Sequence, residues 1–168
     1  MGGEEYLGLK PCDAAPHCFC SSTTSEDAEN DPMHTISPWV WPISLQGGKQ
    51  EAFQQLLATI KSYPPGQNNI DGGGFRIVKV DDGYLYVQFE SLKNGYIDDF
   101  EVAAVGDTTN DDRTVQIRSS SRIGYLDFGV NAKRINWIAQ ELRKKGWDAP
   151  GVDLQGQHRD YSSLNGLL

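Results

Sequence analysis

A chain of 168 residues, 38% of them apolar, can bury one hydrophobic core but not two independent ones of useful size. Its formal net charge of -8 argues against the phosphate-neutralising surface that nucleic-acid binding needs, and its apolar runs stay far below the roughly 20 residues that cross a bilayer. The charge is uneven, however: residues 118–168 carry eight bases against five acids, while the rest is acidic.

The start, MGGEEYLGLK, has acids where a targeting peptide has bases, and no apolar stretch follows, so it is not expected to be a targeting segment. Cys12, Cys18 and Cys20 follow in CDAAPHCFC, with His34 further on. Three thiolates and an imidazole could hold zinc tetrahedrally, although the spacing is not that of a zinc ribbon, and three ordinary thiols are the alternative. Residues 21–31, SSTTSEDAEND, contain a single apolar residue and are expected as a flexible loop. PWVWP then places Trp39 and Trp41 between two prolines, extended, either anchoring an edge of the core or offered for docking.

Phe53, Leu56, Leu57 and Ile60 recur at i, i+3, i+4 and i+7, predicting a helix over 49–62 that Pro64 and Pro65 end. FRIVKV and YLYVQFES alternate with period two around a short acidic turn, and Asn94-Gly95 marks a further hairpin into YIDDFEVAAV. A polar loop at 106–112 leads to a fourth strand, RTVQIRSSS. From near Asn131, Ile135, Ile138, Ala139 and Leu142 mark a second helix, closed by Lys144, Lys145 and Gly146. The order α-β-β-β-β-α predicts an α+β fold: a two-layer domain in which a four-stranded antiparallel meander carries two helices on one face. Residues 1–36 are expected as an irregular Cys-containing segment, 37–150 as the domain, and 151–168 as an extended tail.

The stretch RSSSRIGYLDFGVNAKR, residues 118–134, concentrates cations in this acidic chain. With Val115 and Ile117 facing inward, Arg118 points to the uncovered sheet face. Arg122, the hydroxyls of Ser119 to Ser121 and the exposed amides of the following helix could converge on an anion. The competing reading pairs Arg118 and Arg122 with Asp98, Asp99 and Glu101 of the neighbouring strand, and has Asp127 or Asn131 cap the helix.

These residues, with DDFEV at 98–102 and PCDAAPHCFCSS at 11–22, resemble the uncharacterised family numbered 1499 among the domains of unknown function. Its motif, Arg-Ser-x-Ser-Arg-x-Gly-Tyr-x-Asp-x-Gly-x-Asn-x-x-Arg, matches at Arg118, Ser119, Ser121, Arg122, Gly124, Tyr125, Asp127, Gly129, Asn131 and Arg134. The resemblance covers roughly residues 10–150 and implies no activity. YPPGQNNIDGGGF at 63–75 and YVQFESLKNGYIDD at 86–99 resemble its plastid branch, which implies a nuclear-encoded chloroplast protein whose transit peptide is not in this chain. Bacterial relatives keep counterparts of Cys12 and Cys18 and are often exported, which adds a Cys12–Cys18 disulfide to the open alternatives.

No catalytic residue is assigned. His17, His34 and His158 fall in segments without periodicity, the serines at 119–121 lack a G-x-S-x-G elbow, and GGGF at 72–75 runs into a strand and not a helix. The expectation is a non-enzymatic, soluble plastid protein without a cofactor. It would dock peripherally, without a membrane span, on a photosynthetic membrane complex as accessory subunit or assembly factor, and no nucleic-acid partner is expected. The alternative is a domain that binds, and could act catalytically on, an anionic small molecule through Arg118, Ser119, Ser121, Arg122, Tyr125, Asp127, Asn131 and Arg134.

Overall fold

The structure, a computed structural model, describes residues 8–22, 31–105 and 112–168. The loops expected at 21–31 and 106–112 lie for the most part outside the described residues.

In chain order the elements are β1 (Cys18–Cys20), β2 (Trp39–Val40), α1 (Gly48–Lys61), β3 (Gly74–Asp81), β4 (Tyr84–Glu90), β5 (Ile97–Ala104), β6 (Thr114–Ser121), α2 (Val130–Arg143) and α3 (Arg159–Leu164). Strand alternation turns Leu85, Val87 and Phe89, then Phe100 and Val102, then Val115 and Ile117 to one sheet face, where all are buried. The helical spacing turns Phe53, Leu56, Leu57 and Ile60 of α1 and Ile135, Ile138, Ala139 and Leu142 of α2 into the same core. The α+β layering therefore follows from two hydrophobic periods that meet on one face.

The expected four-stranded meander is corrected to an antiparallel sheet of six strands, in the order β1-β6-β5-β4-β3 with β2 also on β6. β1 pairs with residues 118–120 and β2 with 114–115, so the two short strands share the outer edge of β6 end to end. An uncovered β6 would expose a row of unpaired N–H and C=O groups, and these segments satisfy them. Three and two residues are too few to show a period. The segment 1–36 is accordingly not wholly irregular.

Of the two readings of PWVWP the anchoring one holds and the docking one is corrected: Trp39 and Trp41 are both buried, and Trp39 Nε1 donates to Pro150 O at 2.9 Å, so neither tryptophan is available as a docking surface. One further expectation changes. The tail, expected extended, folds back as α3, burying Tyr161 against Phe19. Six residues cannot reveal helical periodicity, and what holds this helix is one aromatic anchor and its hydrogen bonds.

Candidate functional site

On the inner face the strand pattern changes from apolar to polar at one end of the sheet. Asp98 opens β5 and Ser119 and Ser121 end β6, and the antiparallel register sets Asp98 opposite Ser121 and Phe100 opposite Ser119. Asn131 and Arg134, three apart in the first turns of α2, come down on this polar end. The Arg134 side chain is completely buried, and its five N–H donors are all used. Nε and Nη2 donate to Asp71 at 2.9 and 2.5 Å, Nη2 also to Asp98 Oδ2 at 2.8 Å, and Nη1 to Ser119 Oγ and Asn131 Oδ1 at 3.1 and 2.9 Å. The guanidinium carbon lies 4.5 Å from the centroid of the Phe89 ring. Burial works against the charged form, but the charges and hydrogen bonds of Asp71 and Asp98 outweigh it and raise the Arg134 pKa.

The same motif builds the start of α2. Asp127 Oδ1 accepts from the N–H of Gly129, the residue at the helix N-cap, and Oδ2 from Asn131 N in the first turn, at 3.2 and 3.0 Å, so a carboxylate from outside the helix satisfies its leading amides. Asp127 also accepts from Tyr161 Oη at 2.7 Å and from Asn131 Nδ2 at 2.8 Å. Burial first, then the Asp127 charge and hydrogen bond, push the Tyr161 phenol far up. Asn131 Nδ2 further reaches Ser121 Oγ and His17 O, so β1, β6 and α2 close on one amide.

Arg118 and Arg122 stand on the opposite sheet face. Arg122 holds Asp99 through Nε and Nη2 at 2.9 and 2.8 Å and also donates to Tyr86 Oη, while Arg118 Nη1 reaches Glu101 at 3.4 Å. Burial pushes the Asp99 carboxyl up, but the hydrogen bonds from Arg122 and Tyr86 and the two guanidinium charges hold it below the usual range. The cross-strand pairing is thus present in the structure, and the arginines of the motif diverge to two faces.

What the motif and its neighbours do bring together is a cleft of about 850 Å³. One wall is the β4–β5 turn with Leu92, Lys93 and Tyr96, the other the β6–α2 connection with Ile123, Tyr125 and Phe128, and Asp71, Asp98 and Asp127 lie at its base. Leu92 is 79% exposed, Tyr96 50%, Ile123 61%, Tyr125 63% and Phe128 68%. A Cβ on Gly72 would come within 2.8 Å of Leu92 Cβ, so only glycine lets the 70–73 loop close the first wall. Phe128 holds a left-handed φ of 52°, as do Asn69 and Asp71 at 61° and 53°, and all three line the cleft. Such backbone costs about 1–2 kcal/mol at a bulky residue and persists where its surroundings impose it. Here Asn165, just beyond α3, accepts from the N–H groups of Asp127 and Phe128 at 3.1 and 2.8 Å.

The family model described as "Protein of unknown function (DUF1499)" matches residues 8–142, from the approach to β1 nearly to the end of α2. The chain belongs to this family. No curated protein and no solved structure matches it. The match spans every residue of the Arg134 network and both cleft walls, but not Tyr161 and Asn165, which brace the second wall from the tail.

Of the candidates named from sequence, Ser119, Asn131 and Arg134 meet in one network, joined by Ser121 and Asp127 through Asn131, and Tyr125 stands on the cleft rim. The zinc candidates are not assembled as a ligand set: Cys12 and Cys18 form a disulfide, Cys20 Sγ lies 3.3 Å from Lys10 O, and His34 is held by Asp31 and Ala15 O. Among the described residues no group of three or more His, Cys, Asp or Glu is placed to hold a metal. None of the described histidines hydrogen-bonds a hydroxyl or thiol side chain. Asp71, Leu92, Tyr96, Ile123 and Phe128 were not legible as site residues. The available signals were large apolar residues inside turn segments, and an aspartate, Asp98, in phase with Phe100 and Val102.

Proposed function

We propose that this chain is a non-enzymatic accessory protein that docks on a larger assembly, with the cleft between the β4–β5 turn and the β6–α2 connection as its docking site. The carrying observation is the convergence of five large apolar side chains, each at least half exposed, on one cleft. Exposing such a patch to water is unfavourable, and patches of this kind mark interaction sites. The carboxylates beneath favour binding over reaction: both oxygens of Asp71 and both of Asp127 are committed to bonds that hold the fold.

In this reading the assembly is a photosynthetic membrane complex of the plastid, and the chain is its subunit or assembly factor. Support for the plastid comes from the resemblance of residues 63–75 and 86–99 to the plastid branch. Among the described residues no helix is long and apolar enough to cross a membrane, and the proposed contact is peripheral.

Leu92→Ser and Phe128→Gly test the reading. Phe128→Gly relieves a left-handed φ, so it should leave the melting temperature unchanged or slightly raised, the gain being at most about 1 kcal/mol. The unaltered protein should co-migrate with a membrane complex in blue-native separation of solubilised plastid membranes, and both variants should lose that co-migration; an unaltered protein that migrates alone would overturn the reading. Co-migration that survives both substitutions would remove the cleft from docking. The anionic-ligand alternative draws its support from Arg122, whose side chain is 46% exposed beside Asp99. A rise in melting temperature with inorganic phosphate, abolished by Arg122→Gln, would favour it.

A further inference from the structure

The electrostatics of the cleft specify what it accepts. Of the three carboxylates lining the cleft, Asp71 and Asp98 pair with the buried guanidinium of Arg134 behind it, Asp127 is held by Asn131 and Tyr161, and the only other charge among the described residues lining the cleft is Lys93 on the rim. Asp98 gives Oδ2 to Arg134, while no hydrogen bond to its Oδ1 is formed among the described residues, and its side chain keeps 12% of its surface exposed. Tyr96, Tyr125 and Phe128 line the same cleft, each at least half exposed, and none of them makes a ring or cation–π contact with another described residue. Aromatic side chains sharing a cleft with an under-compensated carboxylate favour an organic cation, because ring quadrupoles and the carboxylate both attract positive charge. An anion would meet the same groups unfavourably.

We infer that the cleft receives a partner polypeptide segment that inserts an Arg or Lys side chain toward Asp98 and covers the rim with flanking apolar residues. This rests on the docking reading above and adds the chemistry of the occupant. The acidic surface of the whole chain, with a formal net charge of -8, would steer a basic segment toward it. The apolar rim supplies the area and the acid the selectivity.

Chemical-shift titration of the isotope-labelled protein with three probes of one scaffold reads this directly. The probes are Nα-benzoyl-L-argininamide, its neutral ureido isostere Nα-benzoyl-L-citrullinamide, and Nα-benzoyl-L-glutamate. The argininamide should shift amides confined to 91–98 and 121–130 and bind about tenfold tighter than the citrullinamide, as a charge-assisted contact implies. Asp98→Asn should bring the two affinities together. Because that substitution also touches the Arg134 network, Tyr96→Leu provides an independent readout and should weaken the argininamide about threefold while sparing the citrullinamide. Equal affinity for argininamide and citrullinamide, tighter binding of the glutamate, shifts elsewhere, or no binding at millimolar concentration would each overturn the inference. If Leu92→Ser and Phe128→Gly abolish co-migration but the argininamide shows no preference, docking stands and the basic occupant falls. If the argininamide prefers the cleft but co-migration survives those variants, the cleft binds a small organic cation and the polypeptide occupant falls.

Discussion

Arg134 carries a full charge out of water, and the residues around it answer each of its donors. A lone buried charge would cost many kcal/mol, whereas a guanidinium with two carboxylates and five satisfied N–H groups is tolerated. The arrangement therefore acts mainly through the penalty for disturbing it. Arg134→Met should cost about 3–5 kcal/mol in urea unfolding, because Asp71 and Asp98 would stay buried without their partner. Adding Asp71→Asn and Asp98→Asn should recover part of that loss, in the manner of coupled neighbours. A cost below about 1 kcal/mol for the single substitution would mean that water replaces the guanidinium and the network is not sealed. Sequence alone showed Arg134 as a motif member. It did not show the residue's partners, since Asp71 and Asp98 lie 63 and 36 positions away.

Among elements, β1 is the least self-sufficient: three residues, Cys18–Cys20, hold the edge of β6 and place His17 O where it accepts from Asn131 Nδ2. The disulfide from Cys12 to Cys18 closes a short loop just ahead of it. Restricting a loop of that length in the unfolded chain contributes about 2 kcal/mol in the chain-entropy account. Replacing both cysteines by serine should lower stability by about that amount, with a matching loss when the wild type is reduced. Equal unfolding midpoints for the reduced and oxidised protein would show that strand pairing alone secures β1. The long elements needed no such help, and they are the ones that periodicity predicted: α1 at 48–61 against an expected 49–62, and four strands near their expected positions.

Across the whole molecule the tail binds the N-terminal region to the second cleft wall. His158 Nε2 donates to Thr35 O at 2.8 Å, and its Nδ1 accepts from Asp153 N at 3.0 Å, which fixes a neutral ring. Burial is the main cause that lowers the His158 pKa below its ordinary 6.5, against opposing hydrogen bonds and the Asp153 charge. A lowered folded pKa means that the contribution of this latch is complete above 6.5 and is lost as the pH falls from there through the folded value. Hydrogen exchange, corrected for intrinsic rates, should show residues 158–165 losing protection relative to the sheet between about pH 7 and 5, and His158→Gln should flatten that dependence. Protection that holds through this range would place the tail under other control. Because Asn165 at the end of α3 holds the N–H groups of Asp127 and Phe128, release of the tail would also loosen the cleft wall.

The sequence by itself determined the α+β class, both long helices, the four long strands and the inward or outward sense of Val115, Ile117 and Arg118. Each of these follows from a local period that repeats over enough residues to be read. Only the tertiary structure decided that 18–20 and 39–40 complete the sheet, that Trp39 and Trp41 are buried, that the tail folds back, and that apolar turn residues enclose a cleft over three aspartates. Those features are pairings between segments far apart in the chain, and a short segment takes its structure from the edge or cavity it meets, not from its own pattern.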